Sequence, residues 1–347
     1  MVDYSCAIKL STPISVISAI REAADHDITV KGGKYLEAFA EADSVVFDKT
    51  GTLTNAEPVL ERAISFSDYS EDEILRIAAC IEEHFPHSVA RAIVKGAADR
   101  GLNHQEEHAE VQYIVAHGIA TTPTESVPLS AATTLFQKMN MWRSQQNSRR
   151  QLKHSPAAAH GVYLAIGGKL SGVLCISDPP RAEAGEAIGL LKKAGIENVV
   201  MLTGDSQKAA EVTAAKLGIT KCFAQVLPED KHRYVEQLEA DGHRVIMVGD
   251  GINDAPALAA ADVSVAMSDA SDIAREAADI TLRGADLTEL ATLRTLSEKL
   301  MTRIHRNYRF IIGFNSSLLL LGLFGIIAPR LRRSCITLPP WQSVPGA

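Results

Sequence analysis

Apolar and polar positions alternate along this chain with two different periods. Short β-branched runs occur at 44–48 (SVVFD), 198–205 (NVVMLTGD), 244–251 (RVIMVGDG) and 263–267 (VSVAM). Between several of them lie EAGEAIGLLKKAG, QKAAEVTAAKLG and APALAAA, whose spacing predicts helices. Strands alternating with helices predict an α/β fold built on a doubly wound parallel sheet. In such sheets ligands sit beyond the carboxyl ends of the strands. Three of these four runs carry polar residues at that end: Asp48, Thr203 with Asp205, and Asp250. A buried strand closing on a carboxylate marks that end as the active site.

Between Thr54 and Ile176 the pattern changes to that of an inserted second domain with α+β character. SEDEILRIAACIEEH opens on Ser70 with Glu73 three residues later, the pattern of a capping box. A second helix follows in SVARAIVKGAADRG, and VYLAIGGKLSGVLCI predicts a hairpin turning on Gly167 and Gly168. From Thr121 to about Pro156 the composition shifts: no acidic residue falls between Glu125 and Asp178, while Lys138, Arg143, Arg149, Arg150 and Lys153 stand among Ser, Gln and Asn. This stretch is a basic binding patch or, as its composition favours, a disordered segment.

The two ends differ from the middle. From Phe310, FIIGFNSSLLLLGLFGIIA offers about 19 uncharged residues, near the ~20 that a spanning helix needs. Arg303, Arg306 and Arg309 precede it, as on a cytoplasmic flank. A buried core helix is the alternative. The first twenty residues are also apolar but contain Asp3 and Lys9, and a charge near mid-bilayer costs about 2.5–3.5 kcal/mol on insertion scales.

Composition narrows the choice. Apolar residues at 46% and charged residues at 22% describe a globular chain, and a mean hydropathy of +0.02 leaves room for membrane contact. A net charge of −7 argues against a nucleic-acid partner. Cys6, Cys80, Cys175, Cys222 and Cys335 lie far apart with no C-x-x-C, so reduced thiols are expected rather than a disulfide or zinc framework.

A single loop aspartate is usually a turn or cap residue. Several at the strand ends of one sheet point to chemistry. Neighbouring carboxylates repel, and a divalent cation settles them; with oxygen ligands and phosphate, Mg²⁺ is the expected ion. Asp48 is then a candidate nucleophile toward a phosphoryl group, with Thr203 and Lys231 available for the transferring oxygens.

DKTGTLT (48–54), DPPR (178–181), TGD (203–205) and VGDGINDAPAL (248–258) together resemble the signature set of the P-type ATPases, within the haloacid dehalogenase superfamily. The resemblance covers roughly residues 1–328. It implies ATP as the phosphoryl donor and Asp48 as the phosphorylated residue, flanked by Lys49. It places Mg²⁺ with Asp48, Thr50, Asp250 and Asp254, and sets Thr203, Lys231 and Asn253 at the phosphate. Gly204 and Asp205 come near the nucleotide, and Asp178 and Arg181 match the hinge motif between the soluble domains. HSVARAIV (87–94) resembles the helix with which heavy-metal pumps hold adenine, making His87 a nucleotide contact; a capping or core histidine is the alternative. Gly118 matches the second of a glycine pair in that pocket, with Ala116 in the first place.

YSCAIKLSTP (4–13) resembles the metal-binding spanning helix of those pumps, with Cys6 as the one retained cysteine, and Asn315 matches an asparagine of a later helix. Both are candidates for a transported transition-metal ion, and the resemblance implies membrane localisation with cytoplasmic catalytic domains. The implied layout is a partial spanning helix and its extension at 1–30, a phosphorylation domain at 31–54 and 177–300, and a nucleotide-binding domain at 55–176 with an atypical 121–156. A spanning helix at 301–328 and an atypical tail at 329–347 complete it. Earlier helices and an actuator domain of the full pump are not in this sequence, so the chain is expected to be a pump fragment whose partners are the bilayer and the missing segments. Two other classes stay open, a soluble phosphatase of the superfamily and a non-catalytic remnant. Such phosphatases place a second aspartate two residues after the nucleophile, where this chain has Thr50.

Overall fold

The computed structural model describes residues 4–83, 87–102, 108–114, 118–123, 133–136, 160–166, 169–268, 270–284 and 286–324. Its strands are β1 (Ile28–Val30), β2 (Ser44–Asp48), β3 (Val59–Ser65), β4 (His108–Ile114), β5 (Gly118–Pro123), β6 (Thr133–Phe136), β7 (His160–Ile166), β8 (Lys169–Ser177), β9 (Asn198–Leu202), β10 (Lys221–Phe223), β11 (Val245–Gly249), β12 (Val263–Met267) and β13 (Ile280–Leu282). Two compact units emerge: Met1–Asp48 with Glu183–Val200 and Leu227–Ala347, and Lys49–Ala182 with Met201–Val226.

In the first unit, β2, β11 and β12 are buried along their whole length, as strands covered on both faces must be. Neighbours run in the order β1, β13, β12, β11, β2, β9. β11 pairs in parallel with both β2 and β12, and β12 with β13. The mostly parallel α/β sheet expected from the sequence is present, with antiparallel β1 added at its edge. Register does the chemical work: Val248 lies opposite Phe47, so Asp48 and Asp250 leave the sheet side by side.

Helix Glu289–Leu323 is tied to this sheet by one buried arginine. The last carbonyls of a helix lack intrahelical partners and attract cations. Arg294 Nη1 donates to the carbonyls of Phe39 (2.5 Å) and Ala42 (3.0 Å), at the end of helix Gly33–Glu41. Its Nε donates to Ala194 (3.3 Å), which caps helix Ala184–Lys193, and to Glu298 Oε1 (2.7 Å). Phe39 and Ala42 lead straight into β2, so the long helix is fastened at the root of the strand that ends on Asp48.

The same helix carries most of the run read as a spanning segment. It runs from Glu289 to Leu323 and packs beside helix Tyr4–Asp25, with the Thr12 and Tyr308 hydroxyls 3.2 Å apart. Among the described residues, however, no helix is long and apolar enough to cross a membrane. The apolar run after Phe310 is diluted by Asn315, Ser316 and Ser317, it follows Arg303, Arg306 and Arg309, and the rest of the expected span lies outside the described residues.

The second unit holds an antiparallel sheet in the order β3-β8-β7-β6-β5-β4. Helices Glu71–Glu82 and Ser88–Asp99 pack on it through Ile74, Leu75, Ile81, Ile93, Leu164 and Leu174. The capping box forms: the Ser70 side chain accepts from the Glu73 amide, and the Glu73 carboxylate accepts from the Ser70 amide. β7 and β8 pair as the expected hairpin, whose Gly167–Gly168 turn lies outside the described residues. The expectation of disorder from Thr121 is overturned in part, because β5 runs through Pro123 and β6 covers Thr133–Phe136, both paired in the sheet. Ladder hydrogen bonds there outweigh a polar composition. The remainder of 121–156 lies outside the described residues.

Arg294→Met keeps an apolar stem but takes the donor from the buried bonds to the Phe39 and Ala42 carbonyls and from the part-buried one to Ala194. A loss of about 2–3 kcal/mol is expected, read as a lower urea midpoint at unchanged m-value.

Candidate active site

In the first unit three carboxylates converge. Asp48 ends β2, Asp250 follows β11, and Asp254 precedes helix Ala255–Ala260; one oxygen from each lies within 4.8 Å of the others. Asp48 and Asp254 are buried, as is Lys231 at the start of helix Lys231–Ala240. Lys231 Nζ donates to Asp48 Oδ1 (2.8 Å) and to Asp254 Oδ1 (2.6 Å). Asp254 Oδ2 accepts weakly from the amides of Gly251 (3.3 Å) and Asp250 (3.4 Å), which holds the turn around it. Gly249 makes this possible, since a Cβ there would stand 3.0 Å from the Asp254 side chain.

Burial, reinforced by Asp254 and Asp250 and opposed by Lys231, pushes the Asp48 carboxyl up to about 7. Burial disfavours the charge on Lys231, but Asp48 and Asp254 outweigh it and hold the ammonium above its usual range. Three carboxylates around the Lys231 ammonium concentrate negative charge in a largely buried place, which is costly. This donor set of hard oxygens fits a divalent cation of the Mg²⁺ type. Asn253 sits exposed in the short turn that leads to Asp254.

In the second unit the residues after Asp48 form a tight curl, Lys49–Leu53, with exposed Thr50 and with Gly51 at φ +78°. Lys49 is buried and ion-paired with Asp205. Thr203 is buried, and its Oγ1 accepts from the Asp205 amide at 3.1 Å, so Gly204 lies inside a closed turn. Asp178 Oδ2 accepts from Thr54 Oγ1 at 2.6 Å. Arg181 is buried and donates to the carbonyls of Thr52 and Gly51, both at 2.9 Å.

His87 caps helix Ser88–Asp99: its Nδ1 accepts from the Ala90 amide at 3.1 Å. An accepting Nδ1 leaves the proton of the neutral ring on Nε2, which lies 3.1 Å from Glu82 Oε2. The approach is not aligned for a hydrogen bond, and Glu82 Oε2 is buried without one. Burial pushes Glu82 up to about 7, and burial followed by Arg91 lowers His87. A cavity of about 290 Å³ opens here, lined by Glu82, Glu83, Arg91, Val94 and Lys95. Sequence reasoning missed Glu82. Its signal was available, because it falls on the apolar stripe of Ile74 and Ala78, where a carboxylate has no reason to be. Gly118 opens β5. Cys6 lies on helix Tyr4–Asp25, and Asn315 is buried on the long helix.

A model of the haloacid dehalogenase-like hydrolases matches residues 42–262. The chain belongs to this family. The matched stretch runs from just before β2 to just before β12 and contains Asp48, Lys231, Asp250 and Asp254. Over 333 residues it is 38% identical to a manganese-exporting P-type ATPase of Mycobacterium tuberculosis, covering 95% of this chain and 46% of that protein. A zinc-exporting P-type ATPase of Mycobacterium marinum matches equally well, at 38% identity over 95% of this chain and 45% of its own length. The fold superposes on a zinc-transporting PIB-type ATPase solved in its E2.Pi state with a TM-score of 0.81 and 31% identity, covering 96% of this chain and 53% of that one. The chain is thus homologous to the catalytic region of heavy-metal transporting P-type ATPases, and it spans about half the length of the curated relatives it matches.

The Glu82 carboxyl titrates above its unfolded value of 4.5, so the folded chain holds a proton that the unfolded chain releases, and stability falls as pH rises from 4.5 through 7. Glu82→Gln is expected to match the wild type near pH 4.5 and to exceed it by about 2 kcal/mol above pH 7.5, measured by urea unfolding across that range.

Proposed function

We propose that this chain carries the phosphorylating machinery of a heavy-metal transporting P-type ATPase, with Asp48 as the residue that accepts the γ-phosphoryl group of ATP. The observation that carries the proposal is the Asp48 carboxylate held by Lys231 beside Asp250 and Asp254. A carboxylate oxygen of Asp48 attacks the γ-phosphorus, the bond to the bridging oxygen breaks, its electrons leave with ADP, and an acyl phosphate forms. Lys231 favours the ionised form of Asp48 against the burial that raises its pKa, and it meets the charge that spreads over the phosphoryl oxygens.

Asp48, Asp250 and Asp254, with Thr50 as a further oxygen donor, are the residues that would hold Mg²⁺, which when bound neutralises phosphate charge. Thr203, Gly204, Asp205 and Lys49 are assigned to the phosphate side of the nucleotide, Asn253 to the transferring group, and His87, Glu82 and Gly118 to the base. The cargo we propose is a transition-metal ion, moved across a bilayer by the whole pump with these units on its cytoplasmic side, and Cys6 and Asn315 are the candidate contacts. Residues 31–54 with 177–300 form the phosphorylation domain in this assignment, and 55–176 the nucleotide-binding domain.

A free-standing phosphatase is the second reading, and Thr50 speaks against it. Two residues beyond the nucleophile, a phosphatase needs an acid and base to discharge the acyl phosphate, and a threonine hydroxyl does not titrate in that range. The intermediate should therefore persist.

Incubation with γ-labelled ATP and Mg²⁺ followed by acid quench is expected to leave an acid-stable label that hydroxylamine removes. Asp48→Asn and excess EDTA should each bring it to background. A folded wild-type chain that takes no label, or a label that survives Asp48→Asn, would overturn the assignment.

A further inference from the structure

The chain passes from the curl that follows Asp48 into the second sheet through 54–58 and returns from β8 through 178–182. These two crossings are joined. Thr54 and Pro180 form a lone bridge, the Arg181 amide donates to the Leu53 carbonyl at 2.8 Å, and Asp178 takes the Thr54 hydroxyl. That hydroxyl also accepts from the Gly51 amide at 3.2 Å and lies 3.3 Å from the Lys49 carbonyl. The guanidinium of Arg181 completes the arrangement: Nε reaches the Thr52 carbonyl and Nη2 the Gly51 carbonyl.

Two successive carbonyls face one guanidinium only where the backbone curls, because in an extended strand they point opposite ways. Gly51, at φ +78°, supplies a conformation that other residues rarely adopt. The Thr52 hydroxyl is buried without a partner, so the curl is gripped there through its main chain and not its side chain. A planar fork with fixed donors suits this task, and an ammonium has no second donor at the matching spacing.

We propose that Arg181 is a positioning residue for phosphoryl transfer to Asp48: it fixes the curl Lys49–Leu53, and hence the backbone that carries Lys49 and Thr50, without touching nucleotide. This rests on the assignment of Asp48 as the phosphorylated residue, and it gives a specific task to a residue that sequence resemblance tied only to a hinge. Displacement of a reacting group by about 1 Å costs on the order of 100-fold in rate.

The test compares the full-length wild-type chain with Arg181→Ala and Arg181→Lys, measuring the rate of label incorporation and, separately, nucleotide affinity by competition with a fluorescent ATP analogue. For Arg181→Ala the rate should fall by about 100-fold while affinity stays within about threefold. Arg181→Lys should recover part of the rate, since one carbonyl regains a donor, and low-millimolar guanidinium should do the same for the alanine variant. Circular dichroism establishes folding. A rate that ignores both substitutions overturns the proposal, and so does a parallel loss of affinity, which would make Arg181 a nucleotide contact. Failure of both variants to fold assigns Arg181 to holding the fold and overturns it as well. A wild-type chain that takes no label removes both this inference and the assignment beneath it, whereas labelling that disregards Arg181 removes this inference alone.

Discussion

Buried negative charge is the constraint around which the first unit is organised. Parallel strands that end together deliver Asp48 and Asp250 to one place, and the turn after β11 adds Asp254. Left alone, such a cluster would protonate or push the strand ends apart. Lys231 prevents this from within the fold by bridging Asp48 and Asp254, yet one ammonium against three carboxylates cannot complete the balance. In the proposed function that residual charge is what a hard cation, and a phosphoryl donor arriving with one, would meet.

How far the sequence announced this depends on the residue. β2, β9, β11 and β12 were legible because buried parallel strands are continuous apolar runs, and their terminal aspartates were legible because charge after such a run demands a reason. The Ser70 capping box was legible from two residues at fixed spacing. β1 and β13 were not, being three-residue strands whose existence depends on pairing with each other. β5 and β6 went unseen for a related cause, since a polar strand is held by its ladder and leaves little periodic trace. The apolar run after Phe310 was legible as a helix, but the polar residues within it keep its described part below the apolarity that a crossing needs, and its end lies outside the described residues.

Roles of long side chains were the least legible of all. Arg181 sits in a motif that resemblance ties to a hinge, but only coordinates reveal that its fork points at main-chain carbonyls. Arg294 carries no motif whatever, and its partners come from three segments far apart in the chain. Glu82 stood on an apolar stripe and could have been noticed, although its proximity to His87 could not. Chemistry that depends on which carbonyl or ring nitrogen lies within 3 Å is written in tertiary structure, and spacing along one chain reports it only by accident.

Gly249 has a consequence for how this site can be inherited. It bears no functional group, yet any side chain there would crowd Asp254, whose carboxylate is shared with Lys231 and through it with Asp48. An alanine there would require Asp254 to give by a few tenths of an ångström, and the shift would reach Asp48 through Lys231. An inert glycine is in this way coupled to the carboxylate cluster, and a side chain at that position goes most easily with a compensating change at Asp254.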